Sequence, residues 1–109
     1  MAFTEKRLSQ TELSTTLGTL YTAGAGTTAI VKSATIANQN ASSRTFSLWL
    51  VPSGGVAAGS TVMFPNTNID GNSVIQWDGF QVMGTNSTIQ GSASAASSVT
   101  TTISGAEIT

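Results

Sequence analysis

A chain of 109 residues has room for one domain and is too short for two of ordinary size. Four basic and five acidic residues give a net charge of -1, and histidine and cysteine are both absent. These facts remove the commonest general base, the commonest metal ligand, the thiolate nucleophile and every disulfide, so enzymatic chemistry, a resident metal and a cofactor are not expected. Serine and threonine occupy 33 positions and glycine 11, while hydrophobic residues make up 39%. That balance suits a β-rich domain rather than a disordered chain, which would combine low hydrophobicity with high net charge. Charged residues are 8% of the chain, far below the share of about 25% usual for soluble domains. A surface so weakly charged is easily buried against copies of itself, and assembly is expected.

In chain order, Ser9 followed by Glu12 has the form of a capping box, and Leu13, Leu17 and Leu20 are spaced as on one helix face. Thr11, Thr15, Thr16 and Gly18 weaken a helix there, and strands over 5–13 and 17–22 are the preferred reading. The first ten residues or so are also read as an extended arm, in which Lys6 and Arg7 touch an acidic neighbour. After the turn Ala23-Gly24-Ala25-Gly26, residues 28–37 alternate Ile30, Lys32, Ala34 and Ile36 with Ala29, Val31, Ser33 and Thr35, a strand partly covered on both faces. In 44–51, Phe46, Leu48 and Leu50 form a core face, and Trp49 points outward unless a second layer or a partner covers it.

Residues 52–55 and 65–68 read as turns, Pro-Ser-Gly-Gly and Pro-Asn-Thr-Asn. Next come a strand at 73–78 with Ile75 and Trp77 on one face, a turn at Trp77-Asp78-Gly79, and a short strand at 80–83 with Phe80 and Val82 together. Residues 87–95 and 98–106 complete the count, with Val99, Thr101 and Ile103 sharing a face and small residues allowing close backbone approach. Eight strands in one domain over 1–109 predict an all-β antiparallel sandwich of jelly-roll type.

The run Asn66-Thr67-Asn68-Ile69-Asp70-Gly71 matches the start of an EF-hand loop, but the twelfth position, which needs a bidentate Glu, is Trp77, so a polar turn is expected instead. Glu5, Glu12, Asp70, Asp78 and Glu107 show no spacing that pairs two carboxylates for glycoside hydrolysis, and Glu107 is expected to be solvated. Trp49, Trp77, Phe64, Phe80 and Tyr21 are candidates for a sugar-stacking platform, with core or subunit packing the preferred reading. Lys6, Arg7, Lys32 and Arg44 are too few and too scattered to track phosphates, so nucleic acid is not expected. The charge-free run at 79–106 is too polar to cross a membrane, and no apolar stretch follows Lys6 and Arg7 as in a signal peptide.

Leu20-Tyr21-Thr22, the segments Thr28-Ala29-Ile30-Val31-Lys32 and Ala37-Asn38, Leu50-Val51-Pro52-Ser53-Gly54-Gly55, Trp77-Asp78-Gly79, and Ile103-Ser104-Gly105-Ala106-Glu107 occur in an order that resembles a family of small virion proteins of tailed bacteriophages. The resemblance covers about residues 6–107. The chain departs from it at Gly84-Thr85-Asn86, where a Gly-Asp pair is common, and at the first turn, which lacks a proline. What the resemblance implies is a β-sandwich building block, foremost a homotrimeric decoration or cement protein binding the major capsid protein on the particle's exterior after assembly in the host cytoplasm. A neck, tail or baseplate component, or a host-surface carbohydrate-binding module, are the alternatives. The candidate interface residues are Lys6, Arg7, Trp49, Phe64, Trp77 and Phe80.

Overall fold

Short polar connections divide the chain into eight strands and no helix in the computed structural model, which describes residues 3–109. The strands are β1 (Phe3–Glu12), β2 (Gly18–Thr22), β3 (Thr28–Asn38), β4 (Arg44–Val51), β5 (Val62–Ile69), β6 (Val74–Met83), β7 (Thr88–Ala93) and β8 (Val99–Ile108). They form two four-stranded sheets, β1-β8-β3-β6 and β2-β7-β4-β5, and every pairing is antiparallel. Every connection crosses from one sheet to the other except that between β4 and β5, which are hydrogen-bonded neighbours; this is the interleaved double Greek key of a jelly roll.

Burial follows the period-two pattern of strands packed on one face. Leu8, Leu13, Val31, Ala34, Ile36, Phe46, Leu48, Ile69, Met83, Ile89, Val99 and Ile103 are buried in one cluster between the sheets. Phe46 and Phe64 meet at 5.6 Å between ring centroids with planes tilted by 44°, within the favoured aromatic range. Val99, Thr101 and Ile103 share the buried face as expected. The helical reading of 9–20 fails: Leu13 is buried, Leu17 is exposed, and Ser9 and Glu12 both lie in β1. The arm expected over 1–10 is, from Phe3 onward, strand, paired with β8 along its length; Met1 and Ala2 lie outside the described residues.

Bulges line up across the first sheet. Leu8 is extra in β1 opposite β8, Lys32 is extra in β3 opposite β8, and Gly79 and Phe80 of β6 together oppose Lys32. An extra residue inverts the alternation beyond it. β3 accordingly buries Ala29 and Val31 before Lys32, then Ala34 and Ile36 after it. Gly105 sits at this line because a Cβ there would lie 1.8 Å from the Ile30 carbonyl oxygen.

The segment Trp77-Asp78-Gly79 is therefore the middle of one strand rather than a turn between two. Gly79 leaves space that the Trp77 indole fills, since a Cβ would approach Cζ2 to 2.6 Å. At 65–68 the expected turn is also strand. Pro65 and Asn66 lie in edge strand β5 at a bulge opposite β4, where a missing N–H costs no ladder bond. Asn66 has φ of 34°, a left-handed conformation asparagine tolerates. The count of eight came out right because one strand was divided and another overlooked.

Asn38 ties one end of the sandwich together. Its buried side-chain Nδ2 lies 2.9 Å from the Ser42 carbonyl and 3.2 Å from those of Ile69 and Asp70, and its Oδ1 accepts the Asn40 N–H at 3.0 Å. The 39–43 and 70–73 connections are thus held against each other, close enough that a Cβ on Gly71 would stand 2.0 Å from the Ala41 carbonyl oxygen.

Candidate functional site

The charges are divided unequally between the sheets. Seven of the nine ionisable side chains named above lie on strands of the first sheet: Glu5, Lys6, Arg7, Glu12, Lys32, Asp78 and Glu107. Only Arg44, at the start of β4, belongs to the second sheet, and Asp70 lies in a connection. The second sheet's outward face is consequently neutral, built from hydroxyls, amides and one tryptophan.

Trp49 occupies that face as the sequence pattern requires, with Gln90 opposite it on β7 and Ser92, paired with Ser47, two pairs further along. It is half-buried without belonging to the interior cluster. Residues 57–59, with Val62 and Pro65, flank an open surface groove of about 340 Å³ beside the indole, which Ser47, Asn66 and Ser92 also line. The 57–59 segment is stapled in place. Thr61 Oγ1 accepts the Ala58 N–H at 3.0 Å and lies 3.1 Å from the Val56 carbonyl, while the Thr61 N–H donates to the Ala58 carbonyl.

Trp77 and Phe64 lie elsewhere, at the open side of the sandwich between edge strands β5 and β6. They line a cavity of about 330 Å³ with Leu50, Val62, Met63 and Gln81, and both pack on the core. Phe80 points the other way. It stands on the outward face of β6 with Val74 and Val82, all three more than half exposed, at 61, 60 and 56%. The five aromatics considered for a common platform are therefore distributed over different surfaces.

At the opposite side of the sandwich, Tyr21 of β2 donates its hydroxyl to Glu107 of β8, and Lys6 of β1 pairs with the same carboxylate at 3.3 Å. The acidic neighbour expected for Lys6 is thus in its own chain, and Glu107 is a bridge between the two sheets rather than a solvated terminal group. The Tyr21 hydrogen bond holds the Glu107 carboxyl below its usual range, opposed by partial burial and assisted by Lys6. Burial, then the hydrogen bond and charge of Glu107, push the Tyr21 hydroxyl well above its ordinary value. Sequence separation of 86 residues hid this contact. Arg7 is exposed on edge strand β1.

The EF-hand reading lacks its loop. Asn66 to Ile69 are strand, the Asn66 Oδ1 accepts from Ser47 at 3.2 Å, and Asn68 donates to Asp70 at 3.1 Å. Among the described residues no group of three acidic side chains is placed to hold a metal ion, and no helix is long and apolar enough to cross a membrane.

Neither a known protein family nor a curated protein matches the sequence. Among solved structures, the chain is similar to a chain in the structure of infectious bursal disease virus Gx strain, with a TM-score of 0.52 and 10% identity. The match covers 97% of this chain and 32% of the other, so the protein spans about a third of that chain's length. At that identity the likeness is one of fold.

Proposed function

We propose that the protein is a non-enzymatic structural component of a virion, foremost a decoration protein that reinforces the outer shell by adding contact area across neighbouring subunits. The observation that carries this reading is the jelly-roll strand order, matched over nearly the whole chain by part of a virus structure. The sequence resemblance to tailed-phage virion proteins agrees with it. Sparse charge agrees as well, since interfaces deplete charged residues at their centres. Phe80 and Val82, neighbours on the outward face of β6, supply exposed apolar surface outside the core, with Val74 further along the same strand.

Quantitative mass spectrometry of purified particles of the virus encoding the chain tests the reading. A copy number in step with the major capsid protein is the expected result, and a cryo-EM map of the same particles then places the sandwich on the outer shell. A small ring's worth of copies moves the protein to the neck, tail or baseplate. Its absence from particles overturns the structural reading altogether.

A further inference from the structure

We propose that the groove beside Trp49 is a binding site for a neutral sugar, taking one pyranose ring against the indole. The site is separate from the apolar surface of β6 and does not depend on the shell reading. Three features of its construction lead to this ligand class.

The first is that Trp49 lies outside the interior cluster, on the outward face of the second sheet, paired with Val62 and Gln90 across the strands. Phe46, Phe64 and Trp77, by contrast, pack in or on the core. It is nevertheless only half exposed, because the stapled 57–59 segment rises beside it. A flat aromatic surface thus lies beside the 57–59 segment in an open surface groove of about 340 Å³. Small-molecule sites run from about 300 to 1,000 Å³ with a few convergent polar groups.

The second is the positioning of Asn66. Its backbone N–H donates to Ser47 Oγ at 2.9 Å, and Ser47 Oγ donates to its side-chain Oδ1 at 3.2 Å. The bulge and the left-handed φ of 34° fix the residue at the groove, and its acceptor is committed to Ser47. Asn66 is exposed and Ser92 half-buried, and beyond the Ser47 contacts of Asn66 neither the Asn66 Nδ2 nor the Ser92 hydroxyl bonds another described residue, so both face water at the rim of the groove. A rim of uncharged groups thus surrounds an apolar platform, with donors available to ligand oxygens.

The third is what the lining lacks. It contains no charged side chain, and the whole second sheet carries only Arg44. A divalent cation would need carboxylates, and a phosphate or an acidic sugar would need a cation. A lipid tail would leave the rim groups unpaired. A pyranose presents one apolar C–H face to an indole and a ring of neutral hydroxyls to amides and serines, and so meets every feature of the lining.

The test is saturation-transfer and indole N–H chemical-shift NMR on the full chain, with the methyl glycosides of glucose, galactose and N-acetylglucosamine as probes. Saturable binding of at least one probe is expected, with the Trp49 indole resonance moving and that of Trp77, in the other cavity, serving as an internal reference. Trp49→Ala should weaken it by about tenfold or more. Asn66→Asp keeps the backbone conformation and the Ser47 hydrogen bonds but removes the Nδ2 donor, and should weaken it several-fold. The dispersed resonances of Phe46 and Phe64 report that each variant is folded. No saturable response from any of the three probes overturns the proposal, and so does binding that survives Trp49→Ala or that moves Trp77 instead.

Discussion

Glu107 shows how much structure a single side chain can organise in a protein with so few charges. Its carboxylate joins β1, β8 and β2 through Lys6 and Tyr21. The downward shift at Glu107 means that its contribution is present above the ordinary value of 4.5 and is lost as pH falls through the lower folded value. The upward shift at Tyr21 means that its contribution is present below the ordinary value of 10.0 and is lost as pH rises beyond it. Urea midpoints should hold level between these limits and fall outside them. Tyr21→Phe should cost about 1 kcal/mol near neutrality and remove this tyrosine's share of the alkaline fall; an alkaline limb unchanged in the variant would contradict the assignment. Glycine positions give a second residue-scale prediction. A Cβ at Gly105 would collide with the Ile30 carbonyl, while one at Gly24 would meet nothing within 4 Å. Gly105→Ala should cost about 3 kcal/mol or prevent folding, and Gly24→Ala should leave the melting transition nearly in place.

At the scale of elements, the strands that alternate cleanly were legible and those that carry an irregularity were not. In 44–51 the buried Phe46 and Leu48 follow from counting by twos, as does the outward Trp49. β5 has the local pattern of a turn because Pro65, Asn66 and Asn68 are turn formers in isolation; an edge position and a bulge accommodate them, and neither is a local property. β6 looks divided at Gly79 because nothing local distinguishes a glycine that makes a turn from one that makes room for the indole two residues earlier. The separate locations of the aromatics, and the 57–59 segment beside Trp49, depend on the same long-range pairings. A metal test separates the two readings of 66–71. If these residues formed a calcium loop, millimolar calcium would shift tryptophan emission through Trp77 nearby in sequence. With Asn66 committed to Ser47 and Asn68 to Asp70, calcium should change neither the emission nor the melting temperature.

At the scale of the whole molecule, the sandwich measures 45 × 25 × 19 Å and presents unlike surfaces. One outer face is neutral and holds the Trp49 groove, while the other carries most of the charge together with the apolar surface of β6. For the homotrimer that the sequence resemblance implies, two contact routes are available, and they respond to salt in opposite senses. Contact through Lys6 and Arg7 would be electrostatic and would weaken as the Debye length shrinks to about 3 Å at 1 M salt. Contact through Val74, Phe80 and Val82 would be hydrophobic, and a salt such as sulfate strengthens it. Lys6 already has its partner in Glu107, and the apolar surface of β6 offers the larger uncompensated area. Light scattering of such a trimer should give a dissociation constant unchanged or lower in molar sulfate, and a stable monomer at micromolar concentration overturns the homotrimer. Phe80→Ser combined with Val82→Thr should shift the protein to monomer while altering the unfolding free energy of the monomer itself by no more than about 1 kcal/mol, because both side chains lie outside the core. A trimer that dissociates in salt, and that tolerates the double substitution, would assign the contact to the β1 edge instead.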